Sequence, residues 1–144
     1  MRITRARVRF THLAALAGLL AAAGTGVTAS QTAPAPPLYD VRVELDQPSL
    51  GTTTFLVDKA GKVSGTLHIE TPNVVDATLA GTVKDGTWTF EYPFSMPAQG
   101  CTGTVAGTAK VSADNSSVIG TLTVGGGCVD QPLSAPFSFK RRAK

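Results

Sequence analysis

From Leu38 to Lys140 the chain alternates. Apolar residues take every second position against Thr, Ser, Lys and Glu, and no stretch repeats them with the period of a helix. Turn residues recur at short intervals, the pattern of a small barrel or sandwich. The alternation predicts eight strands, over 39–46, 52–58, 62–70, 77–84, 87–96, 101–112, 117–124 and 133–140.

Each turn can be tested, because a hairpin must place apolar residues on the same face of both its strands. Asp85-Gly86 is a two-residue loop of the kind that takes positive φ at both positions. It pairs Val83 with Trp88, Gly81 with Phe90 and Leu79 with Tyr92. Asp58-Lys59-Ala60-Gly61 sets Phe55 and Val57 beside Gly65 and Val63, and turns Thr54, Ser64, Thr66 and His68 outward. Asp114-Asn115 pairs Val111 with Val118 and Val105 with Val124. Pro97-Ala98-Gln99-Gly100 brings Phe94 to Gly103, Phe90 to Gly107 and Trp88 to Ala109. These consistent turns predict an all-β fold, an eight-stranded antiparallel meander forming a small up-and-down β-barrel. Two prolines bear on its closure. Pro93 faces Thr78, where the ladder should end or bulge, and Pro136 interrupts the last strand, which must close the barrel. An open or flattened barrel, or a two-sheet sandwich, is the alternative.

The same register carries Cys101 opposite Cys128 on the apolar face, and the two are expected to form a disulfide. Counting places them at a hydrogen-bonded pair, so a bulge is expected in Gly125-Gly126-Gly127. The inward aromatics are Phe55, Trp88, Phe90, Tyr92, Phe94, Phe137 and Phe139, either as core or as the lining of a ligand site. Gly65, Gly81, Gly107 and Gly120 sit mid-strand on that face. They either hollow out a pocket or make room for large neighbours. With Phe90 between Gly81 and Gly107, the filled core is the reading preferred here, since a ring over glycines restores the packing they lack.

The first 29 residues read as a signal peptide. Arg2, Arg5, Arg7 and Arg9 precede an apolar run, Leu13 to Ala23, and Val27-Thr28-Ala29 supplies small residues for cleavage. That run is too short to span a bilayer, so no transmembrane segment is expected after cleavage. The expected organisation is a signal peptide at 1–29, a Pro-rich tether at 30–37, a barrel at 38–140 and a solvated basic tail at 141–144. Secretion or residence in a periplasm follows, where two cysteines oxidise. The chain carries 13 basic and 10 acidic residues, but the basic ones concentrate at its two ends. The barrel itself is acidic, which argues against nucleic-acid binding. Its outward apolar content is also low, the reverse of a barrel facing lipid.

Catalytic chemistry is sparse. After export His68 is the remaining histidine, outward with Glu70 two residues on, and two such groups make a solvated pair rather than a metal or acid–base site. Asp40, Glu44 and Asp46 share the outward face of the first strand with Arg42. No catalytic residue, metal or cofactor is expected, and the chain is not expected to be an enzyme. The strand count and meander resemble, in architecture, calycin-type barrels such as lipocalins and avidins and the small periplasmic protease-inhibitor barrels. The first strand reads Leu38-Tyr39-Asp40-Val41-Arg42 where a lipocalin carries Gly-x-Trp, and Trp88 alone falls short of an avidin aromatic box. The leading expectation is a protein-binding or inhibitory module with an unknown protein partner. A carrier of a small apolar ligand within the barrel comes next, then a structural envelope-associated domain.

Overall fold

The computed structural model describes residues 32–143, and the proposed signal peptide lies outside them. Ten strand segments make eight staves: β1 (Leu38–Val43), β2 (Ser49–Thr54) continued by β3 (Leu56–Val57), β4 (Val63–Thr71), β5 (Val75–Leu79) continued by β6 (Thr82–Lys84), β7 (Thr87–Met96), β8 (Cys101–Val111), β9 (Ser117–Gly126) and β10 (Leu133–Arg141). Every pairing is antiparallel; each stave pairs with the next along the chain, and the first, β1, also pairs with the last, β10. The sheet is therefore a closed eight-stranded meander barrel.

The turns set this register. Val83 faces Trp88, Val57 faces Val63, Val111 faces Val118 and Phe90 faces Gly107, each as the turn residues dictate. Asp85 and Gly86 take φ of 51° and 71°, the left-handed pair that matches strand twist across a two-residue loop. In the next hairpin the Asp58 carboxylate accepts from the backbone N–H of Ala60 and of Lys62, pinning the loop. Tight connections of this kind gather at one end of the barrel: Asp58–Lys62, Asp85-Gly86 and Ser112–Ser116. The other end carries the segments 44–48, 72–74, 97–100 and 127–132.

Neither proline opens the ring. Pro136 sits beyond the last β1–β10 pair, Val43 with Phe137, and its carbonyl accepts from the Glu44 N–H. Its missing N–H thus falls where β1 has already ended, so closure costs no ladder bond. Pro93 does have the local effect expected of it. The β5–β7 ladder holds at Asp76–Ser95 and Ala77–Phe94, then lapses until β6 meets β7 at Thr82–Thr89. In the gap Gly81 takes a φ of 119°, and the Ala80 carbonyl accepts from Trp88 Nε1 at 3.0 Å. The indole thus satisfies a carbonyl that the ladder leaves free.

One further expectation is corrected. The ladder between β8 and β9 does not bulge within Gly125-Gly126-Gly127; it runs regularly to Gly103–Gly126 and ends there, the chain turning at Gly126 (φ 96°). Beyond it Cys101 and Cys128 are disulfide-bonded, with Cα atoms 5.4 Å apart. Strand pairing extends one residue into the basic tail. Arg141 pairs with Tyr39, the Arg142 N–H donates to the Leu38 carbonyl, and the Arg142 guanidinium binds the Asp40 carboxylate at 2.6 Å.

The core fills the tight-turn half of the barrel. Trp88 is its centre, fully buried, with the rings of Phe90, Phe55, Phe139 and Phe137 at 4.2, 5.2, 6.0 and 6.3 Å. Gly107 lets Phe90 lie against the sheet: a Cβ there would stand 2.9 Å from Phe90 Cζ and press on the Thr121 carbonyl. Tyr39, absent from the expected aromatic set, is also fully buried, and its hydroxyl donates to the Asn115 carbonyl at 2.5 Å. That bond ties β1 to the β8–β9 turn.

Candidate ligand-binding cavity

The opposite half of the barrel is hollow. A cavity of about 280 Å³ lies at the end carrying the longer connections. Its wall comes from eight strands: Val43 of β1, Ser49 of β2, Leu67 and Ile69 of β4, Val75 of β5, Tyr92, Phe94 and Met96 of β7, Val105 of β8, Leu122 and Val124 of β9, and Leu133 of β10. Leu45, Pro72, Cys128 and Val129 extend the lining into the connecting segments. Period-two alternation aims each of these strand side chains inward. The difference between the halves is side-chain size. Large rings meet around Trp88, whereas at the open end most inward positions are Val, Leu or Ile, too small to reach across the ring.

The seven aromatics singled out in the sequence therefore divide. Phe55, Trp88, Phe90, Phe137 and Phe139 fill the closed half, while Tyr92 and Phe94 line the cavity. All seven are buried. Cys128 adds its disulfide to the cavity rim, so the bond staples β8 to the segment after β9 at the mouth.

The lining is apolar and, among the described residues, carries no charged side chain; Ser49, Asn73 and Tyr92 are its polar side chains. Asn73 Oδ1 accepts from Gln99 Nε2 at 3.2 Å, a contact between two exposed loop residues. Tyr92 is only 4% exposed, and burial pushes its phenol well above the ordinary tyrosine value. It therefore stays a neutral hydroxyl throughout the physiological range.

The outer wall offers less. His68 stands outward as expected, but its partner is Asp76 across the β4–β5 ladder, not Glu70: Nδ1 and Oδ1 are 2.6 Å apart. Both side chains are about half exposed. Beside them runs a shallow depression lined by Thr66, Thr78, Pro93, Ser95 and Thr102, where the β5–β7 ladder lapses. In the outward row His68, Asp76, Ser95, the carboxylate lies between histidine and hydroxyl. A nucleophilic triad needs the imidazole in the middle, so this row cannot activate Ser95. Among the described residues no group of three His, Cys, Asp or Glu side chains converges as a metal site would require. Asp40 and Glu44 are engaged by Arg142 and Arg42.

No protein-family model matches the chain, and no curated protein matches it. Among solved structures it is similar to two redesigned β-barrels. One, b11L5F_LGL, aligns over 75% of this chain and 91% of its own, at 16% identity and a TM-score of 0.55. The other, mFAP1 solved bound to DFHBI, aligns over 74% of this chain and 94% of its own, at 17% identity and a TM-score of 0.50. At such identities the likeness establishes the fold, a small closed antiparallel β-barrel.

Proposed function

We propose that this chain is an exported, non-enzymatic binding protein that takes a small apolar molecule into the open end of its barrel. One observation carries the reading: a cavity of about 280 Å³ with a wall of Val, Leu, Ile, Met and aromatic side chains. Ligand sites start at roughly 300 Å³ and are mostly apolar with few polar groups; this cavity falls just short of that volume and shares the lining. A cavity of roughly 150 Å³ with a similar lining already holds a benzene ring. The space here suits about two fused rings, or a branched chain of that bulk. The redesigned β-barrel mFAP1, solved bound to DFHBI, supports the idea that a barrel of similar fold can hold a small molecule. The disulfide and the leader read in residues 1–29 support export. The cavity thus moves the carrier ahead of the protein-binding or inhibitory role that sequence alone put first.

A neutral naphthylamine dye whose emission rises in apolar surroundings tests this. Titrated with the oxidised mature protein, it should saturate at one equivalent. Val124→Phe, which extends a ring into the cavity, should abolish the signal, while Ile119→Trp on the outer wall should leave it unchanged. Absence of saturable dye binding, or equal binding by the Val124→Phe protein, would overturn the proposal.

A further inference from the structure

Three buried polar side chains on the inward face have their partners inside the protein. Tyr39 donates to the Asn115 carbonyl, Trp88 Nε1 to the Ala80 carbonyl, and the Thr53 hydroxyl to the Thr66 carbonyl at 2.8 Å. Tyr92 is the exception. Its hydroxyl makes no hydrogen bond to any described residue, though the residue is nearly inaccessible. Among the described residues no fully enclosed side-chain N or O goes unpartnered, so the Tyr92 oxygen keeps accessible surface. The accessible space that Tyr92 borders is the cavity. A buried tyrosine normally places its hydroxyl on a partner, and one held in an apolar wall without one is stabilised by whatever acceptor enters.

We infer that the cavity selects an uncharged, two-ring-sized molecule bearing one hydrogen-bond acceptor, such as a carbonyl or ether oxygen, which the Tyr92 hydroxyl engages. The inference rests on the carrier reading and adds to it the chemistry of the ligand. Two features of the wall set the selection. With no charged residue in the lining among the described residues, an ionised ligand is penalised, because nothing repays the loss of its hydration. The Tyr92 donor, set among Phe94, Val105 and Leu122 while the other polar lining side chains, Ser49 and Asn73, lie at the loop end, fixes where along an otherwise apolar molecule the acceptor must sit.

Three probes of nearly equal shape separate the possibilities by calorimetric titration: 2-acetylnaphthalene, 2-isopropenylnaphthalene and 2-naphthoate. The ketone should bind more tightly than the hydrocarbon by roughly 2- to 12-fold, the span of one net neutral hydrogen bond. Tyr92→Phe should erase that preference while leaving the hydrocarbon affinity within about 2-fold, which also reports that the variant is folded. The carboxylate should bind weakest at neutral pH and gain affinity as the pH falls toward its own pKa. Equal affinity of ketone and hydrocarbon, or a preference that survives Tyr92→Phe, overturns the inference and leaves the carrier reading standing. Tightest binding by naphthoate at neutral pH overturns it as well. Failure of the hydrocarbon and the ketone alike to bind the wild-type protein overturns the carrier reading together with it.

Discussion

Phe90→Ala tests whether the closed half is packed as described. The ring is almost wholly buried between Trp88 at 4.2 Å, Tyr92 at 5.6 Å and Phe137 at 5.7 Å, over the bare backbone of Gly107. Its removal deletes a large apolar surface and leaves a void that three rigid neighbours cannot fill. Such changes cost about 3–5 kcal/mol. At roughly 4–8 °C per kcal/mol for a small domain, Tm should fall by more than about 12 °C. Gly107→Ala attacks the same contact from the other side. Its new Cβ would meet Phe90 Cζ at 2.9 Å and Leu122 Cα at 3.0 Å, and overpacking of this sort costs about 1–3 kcal/mol. In the double variant the clash with the ring disappears while the clash with backbone remains. The double should therefore lose less than the sum of the singles, by about 0.5–1 kcal/mol, as expected for residues in contact. Urea unfolding under oxidising conditions, followed by the fluorescence of the single tryptophan, measures all three. A loss below about 1 kcal/mol for Phe90→Ala, or strict additivity, would refute the packing argument.

Replacing both Cys101 and Cys128 with Ala opens a loop whose ends are 27 residues apart and should cost about 3–4 kcal/mol in the chain-entropy model, read as a lowered urea midpoint with β-sheet circular dichroism retained. Hydrogen bonds from Ser116 and Ser112 hold the Asp114 carboxyl at about 2, below its usual 3.8, so its carbon resonance should titrate near that value. A depressed carboxylate contributes stability above the unfolded pKa and loses it as the pH falls through the folded one; Ser112→Ala should bring the titration back toward 3.8. His68→Ala should change stability by less than about 1 kcal/mol, since a half-exposed pair with Asp76 is worth no more. A larger loss, seen by the same denaturation, would mean the pair supports the lapsed ladder beside it.

The register was legible wherever a turn announced itself. Asp85-Gly86, Asp58 to Gly61 and Asp114-Asn115 each constrain φ or loop length, and with alternation that leaves a single pairing. The disulfide followed by extending one of those ladders. The β4–β5 connection carries no comparable turn signal, so its register, and with it Asp76 opposite His68, was not read. Closure depended on where Pro136 falls relative to the end of β1. Alternation does not reveal that, because it fixes the faces of a strand but not its length. The cavity was missed for a related reason. Period two says which side chains point inward, not at what height in the barrel they lie. A signal was nonetheless present: the largest inward rings, Trp88, Phe90 and Phe55, sit within a few residues of the tight turns. Val75, Val105, Leu122 and Val124 lie nearer the other end. Sorting inward residues by distance from each turn would have separated a filled half from a hollow one.

The central claim is that the open half of the barrel receives an apolar molecule, and locating a bound one tests it most directly. Methyl-labelled protein, saturated with 2-isopropenylnaphthalene, should give intermolecular nuclear Overhauser contacts from the ligand to Leu67, Ile69, Val105 and Leu122, which line the cavity. No contacts should reach Val63 and Val118, which are buried in the filled half, or Ile119, which is 63% exposed on the outer wall. Contacts confined to Ile119 and the other exposed methyls, or none at all at saturating ligand, would contradict the account.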